Sequence, residues 1–175
     1  MLALEKLGKT VTAHNLDPVP EIYRFLPHAA NITSGPVVPG AYDAIVVLDA
    51  DPPRAGLFNG SWPSRRLINI DHHMTNPRQW PLTWLDPDAA ATGEMVYRLV
   101  TRIGVPLDRE MALCLYTAIF TDTGSFRYSN TTAESMRIAA TLIEAGADPW
   151  VVTENVYESI AFRRVKLLGH VLSGL

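Results

Sequence analysis

The sequence predicts an α/β fold: an open, mostly parallel sheet flanked by helices, with the chain becoming helical toward its C-terminus. Two apolar runs rich in β-branched residues, 44–48 and 67–70, have the pattern of buried parallel strands. Acidic or histidine side chains follow each run. Residues 90–172 carry helical spacing interrupted by helix start and stop signals. Strands and helices in this order favour an α/β layer architecture.

Short elements are predicted in the first part of the chain. A helix within residues 1–9 stops at Gly8, and a strand follows over 9–14. A short proline-bounded helix is expected over 19–27, and a brief strand at 31–32.

The middle of the chain carries the two apolar strands, which are joined by a loop, 51–64, rich in proline and glycine. A short edge strand is predicted at 82–85. A helix should then run from 90 to 103 and stop at Gly104, a residue suited to the C-terminal cap.

Three or more helices should complete the chain. Pro106 and Asp108 start a helix that runs through Phe120, and its residues 111–120 are apolar on nearly all sides, which is typical of a helix buried between neighbours. Residues 131–134, Thr-Thr-Ala-Glu, have capping-box spacing and start a helix that ends before Gly146. The Asp-Pro pair at 148–149 repeats the start signal, and a final helix is predicted over 160–172.

Acid and imidazole side chains gather where the predicted elements end. Five of them follow a strand or close the apolar helix: Asp49, Asp71, His72, His73 and Asp122. Open α/β sheets place their ligand sites at the carboxyl ends of strands, and carboxylate with imidazole suits Mn²⁺, Fe²⁺ or Zn²⁺. Each acid alone is a candidate cap or turn residue, but three such sites in one α/β pattern favour a metal site.

These motifs resemble those of the DHH superfamily of phosphoesterases. The Val-Leu-Asp ending at Asp49 is similar to its second motif, Asp71-His72-His73 to its third, and the Thr-Asp-Thr-Gly around Asp122 to its fourth. The resemblance extends from about residue 2 to the end of the chain and implies a catalytic domain of that family.

The sequence between the motifs resembles one branch of this superfamily in particular. Residues 72–77, 86–94 and 124–132 resemble the branch of oligoribonucleases that also dephosphorylate 3′-phosphoadenosine 5′-phosphate. Two alternatives stay open: a cyclic-dinucleotide phosphodiesterase, whose catalytic domain looks alike, and a catalytically silent remnant that acts as a binding or association module.

The resemblance implies a site for two Mn²⁺ ions. Asp49 would bridge the ions, while His72 and Asp122 would ligate one of them. We expect the ligating atoms of these three residues to lie within about 3–6 Å of one another, as residues on one ion do.

The other two residues of the third motif, Asp71 and His73, would take part in catalysis. By resemblance, His73 faces the phosphate, where an imidazolium would donate to a phosphate oxygen or assist the leaving group. The alternative is a histidine that Asp71 merely holds beside the site. Asp71 would orient an imidazole by accepting its N–H. Neighbours on an extended segment point in opposite directions, so His72 and His73 are expected to diverge.

Candidate substrate-binding residues follow the fourth motif. Arg127 could clamp phosphate, with a plain surface arginine as the alternative. Asn130 and Thr131 open a helix whose free N–H groups attract anions, with simple capping as the alternative. Thr-Gly-Glu at 92–94 also starts a helix, and a structural role is favoured for it.

The chain departs from the family pattern at both ends. The family's first motif, of the type His-x-x-x-Asp-x-Asp, is absent, and its smaller second domain would follow residue 175. Residues 1–175 are therefore expected to form a partial DHH domain that holds at most one ion weakly and has impaired activity.

The composition limits which kinds of partner and substrate are expected. The chain has 47% hydrophobic and 19% charged residues and a net charge of −3, which is ordinary for a globular domain and leaves no electrostatic footprint for long nucleic acid. Short RNA and nucleotides are the expected substrates, and a homodimer is a candidate assembly. The single cysteine, Cys114, excludes a disulfide framework, and no membrane-length apolar run or signal peptide is present, so a cytoplasmic location is predicted.

Overall fold

The computed structural model describes residues 1–35, 42–56, 66–159 and 162–174. Its strands form two parallel sheets. The first pairs β1 (His14–Asn15) with β2 (Thr33–Ser34), and the second has the order β3 (Ile45–Leu48), β4 (Leu67–Asp71), β5 (Leu82–Leu85).

The helices lie mostly after the strands. They are α1 (Leu2–Lys6), α2 (Thr92–Arg102), α3 (Arg109–Asp122), α4 (Ala133–Glu144), α5 (Pro149–Thr153) and α6 (Phe162–Leu172), with 3₁₀ turns at Glu21–Tyr23 and Ala29–Asn31 and a π-helical turn at Glu154–Glu158. The predicted α/β class, with a parallel sheet and a helical C-terminal part, is confirmed. Within the described residues, none of the helices is long and apolar enough to span a membrane.

Strand register brings the motifs side by side. Leu48 of β3 pairs with Ile70 of β4, and the Asp49 N–H continues the ladder by donating to the Ile70 carbonyl at 3.0 Å. Both strands run in the same direction, so Asp49 leaves the sheet at the edge where β4 ends and His72 follows.

The core is built around α3, as its apolar sequence predicts. The side chains of Leu115, Ile119 and Phe120 are buried against residues of α4 and α5. Gly93 lets α2 approach α3 closely, because a Cβ atom there would lie 2.8 Å from the Cβ of Ala118. Close packing therefore fixes α2 against α3, the helix that ends at the fourth motif.

The observed helix caps are those that the sequence predicts, except that the capping box of α4 is shifted by one residue. Asp108 caps α3 by accepting from the Met111 N–H at 2.8 Å, and Asp148 caps α5 with Pro149 in its first turn. The capping box of α4 joins Thr132 and Ser135, one residue later than predicted. The reason is that the Thr131 N–H closes a turn on the Tyr128 carbonyl and so lies before the helix.

The short N-terminal elements were predicted less well. Residues 9–13 are not a strand, the second strand lies at Thr33–Ser34 instead of 31–32, and the helix over 19–27 is reduced to the turn Glu21–Tyr23. Prolines at 18, 20 and 27 remove backbone donors, which leaves room for a single turn.

The predicted burial of β3 was wrong. Val47 is buried, but Val46 and Leu48, which share the opposite face of β3, are 42% and 47% exposed, so that face is left uncovered by the described residues. The part of the predicted loop beyond residue 56 and the predicted helix start at 160 lie outside the described residues.

Candidate metal centre

Three elements deliver the candidate ligands to one point. Asp49 directly follows β3, His72 directly follows β4, and Asp122 is the last residue of α3. The backbone of Asp49 has φ 61°, in the left-handed region that non-glycine residues seldom adopt. Such a conformation marks positions that the surrounding structure holds in place, often at functional sites.

The side chains of these three residues converge as predicted. His72 Nε2 lies 3.2 Å from Asp122 Oδ2 and 3.7 Å from Asp49 Oδ1. Both distances to His72 fall within the expected span, although Asp49 and Asp122 belong to distant parts of the chain. Their role as metal ligands stays a prediction.

The tautomer of His72 is set by the backbone. Its Nδ1 lies 3.1 Å from the Ala89 carbonyl oxygen, which can only accept, so Nδ1 carries the proton. In the neutral ring Nε2 then presents a lone pair to two carboxylates. Nε2 is buried and has no hydrogen-bond partner among the described residues. Acceptors that face one another in this way call for a cation between them.

The charge balance also fits a cation. Burial raises the pKa of Asp122, and the negative charge of Asp49 raises it further, while His72 lowers it in part. A divalent ion would offset both effects and keep the carboxylates ionised. One imidazole nitrogen and two carboxylates form a donor set suited to Mn²⁺, Fe²⁺ or Zn²⁺.

Asp71 and His73 form a second pair beside the ligands. Asp71, 1% exposed, accepts from His73 Nδ1 at 2.6 Å and from the His73 backbone N–H at 3.2 Å. Burial raises the pKa of Asp71, but hydrogen bonds from Asn76 and His73 outweigh it, so the pKa is lowered overall. The hydrogen bond to Asp71 raises the pKa of His73, which favours the imidazolium form.

His73 and His72 do not diverge as expected. Their ring centroids are 4.5 Å apart in an edge-to-face arrangement, because β4 ends at Asp71 and the alternation of an extended strand ends there too. One ligand atom each of Asp49, His72 and His73 lies within 4.8 Å of the others. His73 is thus within reach of an ion, although its Nδ1 is already bound to Asp71.

Two buried amides that the sequence analysis overlooked support this pair. Asn76 donates to Asp71 Oδ2 at 2.7 Å and to Asn69 Oδ1 at 2.8 Å, and Asn69 donates to the Ala50 carbonyl at 2.8 Å. The chain of hydrogen bonds joins the segment after Asp49 to His73. An amide in the middle of an apolar strand, as at Asn69, was the available sequence signal.

The start of α2 touches the site as well. Thr92 donates its hydroxyl to Asp49 Oδ1 at 2.7 Å, a contact that the purely structural reading of residues 92–94 did not foresee. Glu94 does serve the fold: its buried carboxylate accepts from the Ala90 N–H at 3.1 Å and pairs with Arg98. Burial raises the pKa of Glu94.

The three candidate substrate residues have different surroundings. The side-chain amide of Asn130 donates hydrogen bonds to the carbonyls of Ala90 and Asp122, so it stabilises the end of α3. Arg127 is exposed and donates through Nε to the Gly124 carbonyl at 2.8 Å. Thr131 Oγ1 is buried and has no hydrogen-bond partner in the described part of the chain. Their roles toward substrate stay predictions.

Known proteins are similar to the chain over most of its length. The bifunctional oligoribonuclease and PAP phosphatase NrnA of Thermus thermophilus is 40% identical over 177 residues, which cover 98% of this chain and 51% of that protein. The protein of that name from Bacillus subtilis is 30% identical over 113 residues, 63% of this chain and 36% of its own length. These similarities agree with the resemblance of the motifs to the DHH superfamily.

A solved structure has a similar fold. The crystal structure of an exopolyphosphatase-related protein from Bacteroides fragilis matches with a TM-score of 0.82 at 27% identity, covering 98% of this chain and 54% of that one. No protein-family model matches the sequence. The chain spans about half the length of its Thermus thermophilus relative.

Proposed function

We propose that the chain is a metal-dependent phosphoesterase domain that hydrolyses short oligoribonucleotides and 3′-phosphoadenosine 5′-phosphate, with Mn²⁺ as its ion. One observation carries the proposal: the buried His72 Nε2 has no hydrogen-bond partner among the described residues and faces the carboxylates of Asp49 and Asp122. The substrates follow from the names of the similar proteins, which are oligoribonucleases and PAP phosphatases.

The side chains of the site would have different roles in metal binding and in catalysis. Asp49, His72 and Asp122 would hold the metal, which when bound supplies positive charge at the phosphoryl group and makes a water more acidic. His73, with Nδ1 held by Asp71, keeps Nε2 to donate a proton to a phosphate oxygen or to the leaving oxygen. Asp71 stabilises the imidazolium and fixes its orientation.

We propose that the nucleotide binds next to the fourth motif. An open cavity of about 470 Å³ is lined by Phe120, Ser125, Arg127, Thr153, Tyr157 and Glu158. The guanidinium of Arg127 suits phosphate, and the partly exposed ring of Tyr157 suits a base. Such a cavity has room for a nucleotide, and the net charge of −3 favours short substrates over long nucleic acid.

The described residues supply fewer metal ligands than a site for two ions requires. Three side chains face one point, with His73 nearby. We therefore propose that the chain by itself holds at most one ion weakly and turns over slowly. A homodimer and a cytoplasmic location stay predictions from the sequence.

The test is hydrolysis of the dinucleotide pApA and of 3′-phosphoadenosine 5′-phosphate at high protein concentration with Mn²⁺. We expect slow release of AMP that a chelator stops and that His72→Ala and Asp122→Asn abolish. Substitution of Mg²⁺ or Zn²⁺ for Mn²⁺ identifies the preferred ion, and a cyclic dinucleotide tests the neighbouring activity. Turnover no greater than that of His72→Ala, or turnover insensitive to the chelator, contradicts the proposal.

A further inference from the structure

The carboxylate of Asp49 needs to be held in place if it is to ligate a metal. Its backbone is secured, because the Asp49 N–H donates to the Ile70 carbonyl. Its side chain is 59% exposed and could rotate freely without a further contact. Among the described residues, the Thr92 hydroxyl is the one hydrogen-bond donor to this carboxylate, at 2.7 Å from Oδ1.

Thr92 is itself rigid. It is 5% exposed, it is the first residue of α2, and its β-branched side chain has few rotamers in a helix. The next residue, Gly93, locks the start of α2 against Ala118 of α3. Because α3 also ends in Asp122, the same pair of helices fixes both acidic side chains that face His72.

The donated hydrogen bond leaves the carboxylate able to ligate. An ionised carboxylate has about four acceptor positions on its two oxygens, and the Thr92 hydroxyl uses one of them. The oxygen it contacts, Oδ1, is also the one that lies 3.7 Å from His72 Nε2. The hydroxyl thus sets the direction of that oxygen toward the candidate metal position.

We infer that Thr92 is a positioning residue for the metal centre: its hydroxyl holds the Asp49 carboxylate in its ligating orientation. This inference rests on the proposed metal site. Groups that orient a metal ligand by a hydrogen bond commonly contribute about 10- to 100-fold to metal affinity. Loss of the hydroxyl should therefore weaken Mn²⁺ binding without changing the fold.

The experiment measures Mn²⁺ affinity from the free-ion signal in electron paramagnetic resonance, for the wild type, Thr92→Val, Thr92→Ser and Thr117→Val. Thr92→Val keeps the shape but removes the donor and should bind about 10- to 100-fold more weakly. Thr92→Ser keeps the donor and should bind nearly as well as the wild type. Thr117→Val is the matched control, since this buried hydroxyl donates to the Leu113 carbonyl within α3.

The outcomes separate the inference from the proposed function. Wild-type protein that binds no Mn²⁺ overturns both. Wild-type binding that Thr92→Val retains, or that Thr92→Ser loses to the same extent as Thr92→Val, overturns the positioning role alone. Circular dichroism checks that each variant folds, and Thr92→Ala replaces Thr92→Val if the buried valine prevents folding.

Discussion

The three consecutive residues Asp71, His72 and His73 have different environments. Asp71 is buried and bound by Asn76 and His73, His72 turns its free Nε2 toward two carboxylates, and His73 keeps a partly exposed ring. The proton on each ring is placed by a different acceptor, the Ala89 carbonyl for His72 and the Asp71 carboxylate for His73. Neighbours in sequence therefore acquire different chemical properties.

His72→Ala and His73→Ala should have different effects. Loss of His72 removes a ligand and should abolish Mn²⁺ binding together with activity. Loss of His73 should leave Mn²⁺ affinity nearly unchanged and reduce turnover by about 10²–10⁴, the usual contribution of a positioned acid or base. Bound metal and hydrolysis of pApA are measured for both variants.

A different pattern would reassign His73. Equal loss of Mn²⁺ binding in the two variants would make His73 a ligand, which its position within 4.8 Å of the Asp49 and His72 atoms permits. Unchanged turnover after loss of His73 would leave it no part in the chemistry.

At the level of elements, the termini of helices shape the site. The start of α2 brings Thr92 to Asp49, and the end of α3 brings Asp122 to His72. The spacing of these helices is set where Gly93 faces Ala118. The start of α3 is held by an ion pair between Lys6 of α1 and its capping residue Asp108.

Gly93→Ala should destabilise the protein through steric conflict with Ala118. The new Cβ would lie 2.8 Å from the Cβ of Ala118, and overpacking of this kind typically costs about 1–3 kcal/mol. Ala118→Gly alone should cost about 1 kcal/mol as a glycine within a helix. In the double variant the clash is relieved, so the loss of unfolding free energy in urea should be smaller than the sum. Strictly additive effects would show that the two positions are not coupled.

Asp108→Asn should reduce stability only where Asp108 is ionised. Its hydrogen bond with Lys6, followed by that from the Met111 N–H, lowers the pKa of Asp108 in the folded state. The carboxylate therefore stabilises the fold above its unfolded pKa of about 3.9, and this contribution is lost as the pH falls through the lower folded value. Asparagine still caps the helix, so the substitution isolates the charge.

The effect should be small because the pair is partly exposed. We expect the variant to be less stable by under about 1 kcal/mol at neutral pH, with the difference shrinking on acidification below about pH 3.9. Urea unfolding of both proteins across this range measures it. A difference that grows as the pH falls would contradict the assigned direction.

At the scale of the whole molecule, the site joins regions that are far apart in sequence. The sheet supplies Asp49 and His72, and the helical core supplies Asp122. An ion bound among them would hold the sheet and the helices together in the folded chain only. Metal binding should therefore stabilise the entire domain.

Mn²⁺ should raise the melting temperature of the wild type. A ligand at about 100 times its Kd contributes about 2.7 kcal/mol of stability, which for a domain of this size corresponds to roughly 5–10 °C. Differential scanning fluorimetry with increasing Mn²⁺ gives the shift. Asp122→Asn is the control and should lose the response, since it removes one of the facing carboxylates. An equal shift in this variant would place the bound ion elsewhere.

Local signals in the sequence determined most elements and the candidate residues. The apolar runs predicted β3 and β4, Gly104 with φ 75° ends α2 as expected, and Asp148 with Pro149 starts α5. These features depend on the properties of a few adjacent residues. The same is true of the acid and imidazole motifs, which stand out because they directly follow or end apolar elements.

Tertiary structure decided what those residues contact. Thr92 and Asp49 are 43 residues apart, and nothing near either one predicts their hydrogen bond. The Asn76 amide reaches Asp71 only because the chain turns back after β4, and the exposure of β3 depends on what packs against each of its faces. Periodicity and caps report interactions within one or two turns of the chain, whereas contacts between elements follow from packing, which a single sequence does not display.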